Sequence, residues 1–502
     1  MTAGPLLALV LAAGCVTVEA PLRDTRGSPS LAIEACAQWF KQLDDTIDRA
    51  GARDAGAYRV PGFPYLRVDR FAASFRDEIK DNEPAFNAWV GLLKTLDADA
   101  RDYELQNLPR GSFPILDATD KAAAKTETAA CAARLASEDL ASATQRSLLL
   151  ARAEVPDNYS SWKRALGLYP ITSIPFMQGV ERWHAESTAM FQAARADTAT
   201  ARNSIMYEPF ASGASAARIA EIFSRLKTDA LGVPQLGAED RATLFAAYAP
   251  LYEIETTRPH DRFGPLFWLG NIAPDVDVTR PVAYTRLAYT RDHGRTLVQF
   301  VYTIWFPERP ASGAVDILAG KLDGVVFRVT IGADGAPLVY DTMHPCGCYH
   351  MFFPTARVQT LPAPEPGIEW AFVPITLPAM TAAQRIVVRI ASRTHYIVDV
   401  RPGAGVEVAT PYRFADDNEL RAIPVGNGVT RSAFGPDGIV AGTERGERFL
   451  FWPMGIDNSG AMRQWGRHAT AFIGRRHFDD ADLIERRFDI SAGSPAALAP
   501  PR

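Results

Sequence analysis

Apolar residues recur at helical spacing through the first half of the chain and alternate at strand spacing through the second. Ile33, Cys36, Phe40, Leu43 and Ile47 form one stripe within Leu31 to Arg49. This spacing predicts an amphipathic helix, with Ser30 as its N-cap. Phe86, Trp89, Leu92 and Leu93 predict a second helix over 84–97. An alanine- and leucine-rich stretch from Asp117 to Ala153 contains no proline, and Pro156 stops it. Further helices are expected at 175–196, 214–230 and 239–250, with prolines 61, 64, 109 and 114 marking irregular connections between the early ones.

The period changes near residue 260. Val325, Phe327, Val329 and Ile331 alternate with Val326, Arg328 and Thr330, the pattern of a half-buried strand. Gly332-Ala333-Asp334-Gly335 supplies a turn, and Leu338 to Asp341 returns as the hairpin partner. Other strands are expected at 282–290, 296–306, 369–376, 385–391, 395–400 and 447–452, and a short helix at 479–487. Tyr302 to Phe306 lies in a continuous apolar stretch and reads as core rather than as a sugar-binding face. The pattern describes an α+β protein: a helical region over 30–255, then a strand-rich region over 260–490, built as a sandwich or a twisted antiparallel sheet. Residues 491–502 read as a frayed tail.

Composition narrows the class little. Of 502 residues, 47% are apolar and 22% charged, and the formal charge is −5. These are the proportions of an ordinary globular protein, long enough for two or three domains. Arg475-Arg476 and Arg486-Arg487 are too few for a nucleic-acid footprint, so no nucleic-acid partner is expected. A GxSxG elbow, an HExxH helix, a GxxxxGK loop and a strand-following GxGxxG are all missing, which removes the commonest hydrolase and nucleotide-binding sites.

The apolar run Leu6 to Ala13 is far short of a membrane span and ends at Leu11-Ala12-Ala13-Gly14-Cys15. This stretch resembles the lipobox of bacterial lipoproteins. The resemblance implies that residues 1–14 are a signal peptide and that Cys15 carries the lipid. Residues 15–29 would then be a linker, and the protein would face the periplasm while anchored to the membrane of the cell envelope. In that compartment disulfides persist. Cys36, Cys131, Cys346 and Cys348 remain, and the simplest bridge is Cys36–Cys131; buried free thiols are the alternative.

One stretch points to chemistry. His344-Pro345-Cys346-Gly347-Cys348-Tyr349-His350 carries four soft or borderline ligands at alternate positions. Thiolate and imidazole suit zinc or copper. In an extended strand alternate side chains stand about 7 Å apart, so one ion requires a tight bend, which Pro345 and Gly347 permit. Two other readings stand beside this one: a Cys346–Cys348 disulfide, and ordinary loop histidines. His395, His468 and His477 are further candidates to complete a site, with Asp341 or Asp399 as general base. Three functions follow: a metal-binding envelope protein closed by His344, Cys346, Cys348 and His350; a metal-dependent hydrolase using three of them; or a structural lipoprotein with a disulfide and no metal. Asp479, Asp480 and Asp482 lack the glycine and distal glutamate of a calcium loop and read as a helix N-terminus.

Overall fold

A computed structural model describes residues 30–196, 203–270, 273–403 and 408–490. The expected signal peptide, Cys15, the whole expected linker over 15–29 and the expected tail over 491–502 lie outside the described residues.

Helix α1 spans Leu31–Arg49, the bounds its apolar stripe predicts, and buries Ile33, Cys36, Phe40, Leu43 and Ile47. Ser30 takes the extended N-cap backbone, but its side chain makes no capping hydrogen bond. A hairpin of β1 (Tyr58–Val60) and β2 (Phe63–Val68) follows, then the short helix α2 (Arg70–Ala73). Helix α3 runs from Glu83 to Asn107, ten residues past its expected end. Its buried face switches there from apolar to charged: Asp97, Arg101 and Glu104 are all buried. Arg67 of β2 donates to Asp97 at 3.1 Å and to Glu104 at 2.7 Å. A buried ion network replaces the apolar stripe, so periodicity loses the helix.

The single helix expected over 117–153 is two: α4 (Lys121–Asp139) and α5 (Ala143–Arg152). The Ser142 side chain accepts the Gln145 N–H and starts the second helix, as serine does at an N-cap. Cys36 and Cys131 form a disulfide between α1 and α4. Helices α6 (Ser161–Leu166), α7 (Tyr169–Ala196), α8 (Ala216–Ser224) and α9 (Ala238–Tyr248) complete this half. Pro175 lies inside α7, which begins six residues before the expected start.

Strands β3 (Ser204–Pro209) and β4 (Leu251–Glu255) interrupt the helical region. A short pair, β5 (Leu266–Trp268) and β6 (Pro274–Val276), leads into the long meander. The meander comprises β7 (Val282–Asp292), β8 (Arg295–Arg309), β9 (Gly320–Ile331), β10 (Pro337–Met343) and β11 (Met351–Pro354). Strand β12 (Gln359–Thr360) pairs elsewhere, while β13 (Arg385–Ile390), β14 (Ile397–Gly403) and β15 (Thr410–Asp416) return to the sheet. These form one ten-stranded mixed sheet in the order β11-β10-β9-β8-β7-β15-β3-β4-β13-β14. The fold is α+β, with one large sheet rather than a sandwich of two. Because β3 and β4 lie within it, between β15 and β13, the sheet draws on residues on both sides of position 260.

Tyr302, Ile304 and Phe306 of β8 pack with Phe327 and Val329 of β9 in the main core, as expected for that run. Three other expectations fail. Residues 369–376 form no strand; the Phe372 carbonyl only accepts the Phe352 N–H at 2.9 Å. Residues 447–452 are not a strand but helix α10 (Arg448–Phe451) running into a 3-10 turn at Trp452–Met454. A short apolar run cannot separate the two states by period alone. Residues 479–487 contain turns rather than the expected helix.

Candidate functional site

The Cys/His stretch is the loop between β10 and β11. It bends tightly: the His344 N–H donates to the Cys348 carbonyl at 3.0 Å, and the Gly347 N–H to the His344 carbonyl at 2.8 Å. Gly347 has φ of 89°, and a Cβ there would meet the Ala469 carbonyl oxygen at 2.3 Å. Glycine is required both for the bend and for seating the loop against the C-terminal segment.

The bend brings the two sulfurs together and leaves the two rings apart. The Cys348 N–H donates to Cys346 Sγ at 3.3 Å. Both cysteines are free thiols, so the Cys346–Cys348 disulfide is not present. A hydrogen bond to Cys346, then burial, pushes the Cys348 thiol well above its ordinary value. The histidines serve two separate buried carboxylates. His344 Nδ1 lies 3.0 Å from Asp323 Oδ1, and the other oxygen of Asp323 lies 3.0 Å from His395 Nδ1. Burial raises the Asp323 carboxyl, but His344 and Arg445 outweigh it and hold the group well below the carboxylate range. His350 Nε2 lies 2.9 Å from Asp341, which Arg328 grips through both oxygens at 2.9 and 2.6 Å. Burial lowers His350 to about 3 against the pull of Asp341, so it is neutral.

The convergence expected of His344, Cys346, Cys348 and His350 is therefore not formed. The loop turns about Gly347, which gathers only the residues on either side of it. His344 and His350 flank strands β10 and β11 and are held by carboxylates on β9 and β10. Among the described residues, the one group of three His, Cys, Asp or Glu ligand atoms close enough for an ion is Cys36, Glu127 and Cys131. Its two sulfurs are already bonded to each other. The other supporters are also engaged elsewhere. Asp399 pairs with Arg401 at 2.9 Å. His477 lies between Asp157 and Asp480. His468 is buried and pushed down to about 3 by burial.

The paired thiols form part of the floor of a cavity of about 470 Å³. Phe176 and Trp183 of α7, Tyr349, Tyr396, Phe451 and Phe472 supply aromatic walls. Tyr396 donates to the Tyr349 hydroxyl at 3.0 Å, and Arg309 donates to Tyr396 at 3.1 Å, which fixes both phenols. Trp183 packs on Tyr349 with ring centres 5.4 Å apart, so α7 roofs the cavity.

Glu447 lines the same cavity and is missed by sequence reasoning, as are Arg445 and Arg463. Burial pushes the Glu447 carboxyl up to about 7, against Arg445 and Arg309. Its side chain makes no hydrogen bond or ion pair within the described residues. Gly460 gives it room: a Cβ there would stand 1.8 Å from Glu447 Oε1. Arg445 donates to the Leu322 carbonyl at 2.8 Å and lies 3.6 Å from Asp323. The Arg463 backbone N–H donates to the Pro345 carbonyl at 2.9 Å. Burial lowers the Arg463 guanidinium, and the two nearby sulfurs act against that shift. Arg445 acts to lower the Cys348 thiol but is outweighed by the hydrogen bond to Cys346 and by burial, so that thiol stays protonated. No sequence signal marks Glu447, because it stands in a run whose pattern resembles a strand. Asp323 is marked only as a charge within a buried strand.

Comparison with protein-family models, curated proteins and solved structures returns no match. No helix among the described residues is long and apolar enough to cross a membrane. The Cys36–Cys131 disulfide is compatible with an extracytoplasmic location.

Proposed function

We propose that this is an exported, lipid-anchored protein of the bacterial envelope whose chemistry is a dithiol–disulfide exchange of electrons at Cys346 and Cys348. The observation that carries the reading is a pair of free thiols, Cys346 Sγ accepting the Cys348 backbone N–H at 3.3 Å, on the floor of an aromatic-walled cavity that Glu447 also lines. Paired thiols two residues apart suit two-electron chemistry. The cavity walls suit a planar, largely apolar acceptor of the quinone class. One sulfur adds to the acceptor and the other displaces it. Two S–H bonds are lost and one S–S bond forms, while the two protons and two electrons convert quinone to hydroquinone. Glu447 titrates near neutrality and carries a proton between sulfur and acceptor.

A fully substituted, water-soluble benzoquinone tests this. Reduced protein should form one hydroquinone for each pair of thiols lost, with a mass decrease of two hydrogens. Cys346→Ser and Cys348→Ser should each abolish turnover. Persistence of both thiols, or full activity in either variant, would overturn the reading.

A second reading keeps zinc or copper, because the two free thiols of one tight bend offer two soft ligands. Arg445 and Arg463 oppose it by placing positive charge where the cation would sit. One equivalent of metal surviving dialysis, and lost in Cys348→Ser, would favour this reading instead.

A further inference from the structure

The mouth of the cavity opens beside an uncovered apolar rim. Trp162 and Leu166 of α6, Leu168, Ile171 and Ile174 at the start of α7, and Phe449 of α10 are each more than half exposed. Twelve residues in succession, Tyr169 to Val180, contain no Asp, Glu, Lys or Arg. None of the twelve is buried. A contiguous exposed apolar face of this kind marks an interaction surface.

The three elements meet in space. Phe176 packs on Phe451 with ring centres 5.5 Å apart. Arg164 donates to the Met454 carbonyl at 2.8 Å and lies over the Tyr169 ring at 4.4 Å. The rim is continuous with the cavity: Leu450 is half exposed and also lines it, and Pro175 and Phe176 line it next to Ile174.

We propose that this rim lies in the interfacial layer of a phospholipid bilayer, so that the cavity fills from the lipid phase. The inference deepens the dithiol reading, on which its choice of a lipid-soluble acceptor rests. Three observations favour a bilayer over another protein. Trp162, Tyr169 and Trp452 border the apolar stretch, and such residues suit the boundary between headgroups and acyl chains. Arg182 and Arg448 flank it and make no ion pair within the described residues, which leaves them available to anionic headgroups; Glu181 and Asp457 are the nearby acids, and Asp457 is already paired with Lys163. The chain between Cys15 and Ser30 can extend about 50 Å. That reach is comparable to the breadth of a folded chain this long, whose radius of gyration is about 23 Å. A lipid on Cys15 therefore leaves this face free to settle on the membrane.

The test uses the full chain with Cys15→Ala, which removes the lipid, and vesicles of phosphatidylethanolamine and phosphatidylglycerol. The protein should float with the vesicles. Adding Ile171→Glu and Ile174→Glu should reduce the bound fraction at least tenfold without changing the thermal unfolding midpoint, since both side chains are exposed. Neither residue lines the cavity, so oxidation of the thiols by the water-soluble quinone should be unchanged. Oxidation by a long-tailed quinone held in the vesicles should fall with binding. Equal flotation with and without the glutamates would overturn the inference, as would a dimer that those substitutions dissociate and that ignores vesicles. If flotation behaves as expected but neither quinone oxidises the thiols, the dithiol reading fails while the docking surface stands.

Discussion

At the scale of single residues, Glu447 shows what burial does to a titration. Its carboxyl sits near 7 in the folded chain against an ordinary 4.5. The folded state holds the proton more tightly than the unfolded state. Glu447 therefore costs nothing below pH 4.5, and the cost grows as pH rises toward 7, reaching on the order of 3 kcal/mol. Glu447→Gln removes the ionisation. It should unfold at higher urea concentration than the wild type at pH 8 and at nearly the same concentration at pH 4.5. Equal midpoints at both pH values would mean that water reaches the carboxylate freely. The residues of this site divide by visibility. Cys346 and Cys348 stand out in sequence because two thiols two positions apart are rare in this chain. Glu447 and Arg463 do not, because a lone charge gains meaning only from what packs around it.

At the scale of elements, the disulfide between α1 and α4 closes a long loop, with its cysteines 95 positions apart. Loop-closure entropy over that length corresponds to roughly 4–5 kcal/mol in the chain-entropy model, and measured bridges commonly give less. The Cys36→Ser, Cys131→Ser double variant should lose 2–5 kcal/mol in a denaturant titration. Reductant should bring the wild type down to the same level and leave the variant unmoved. Helix α1 was legible to the residue, because its buried face is apolar except for Thr46. Helix α3 was legible only as far as its apolar face runs; from Asp97 on that face also buries Asp97, Arg101 and Glu104, ions paired with one another and with Arg67. The break between α4 and α5 was hidden by good helix formers on both sides. Strands β3 and β4 were missed because each is short and lies among helices.

At the scale of the whole molecule, distant segments meet through buried polar contacts. Arg421 Nε donates to Asp54 at 2.7 Å, and Arg70 reaches Asp479 at 3.1 Å. The thiol loop is seated in the same way, with Gly347 against the Ala469 carbonyl. Gly347→Ala would place a methyl group 2.3 Å from that oxygen and strain a backbone at φ of 89°. It should lower the unfolding midpoint and make Cys348 react faster with a small alkylating reagent, as the loop lifts from the C-terminal segment. Unchanged reactivity would show that the loop holds its shape without that contact.

From sequence alone came the α+β class, the strands at 282–290 and 296–306 and the hairpin ending at Asp341, the bond between Cys36 and Cys131 as the simplest pairing, and the Cys/His stretch as the candidate site. Periodicity and residue type carry those features, since each depends on neighbours in the chain. Which of the four ligands would meet was decided in three dimensions. Asp323 and Asp341 engaged the two histidines, the bend at Gly347 left the sulfurs together, and α7 and Glu447 arrived from far along the chain to enclose them. Side chains on opposite sides of one turn converge or diverge according to the partners that surround them, and those partners are assigned only when the chain has folded.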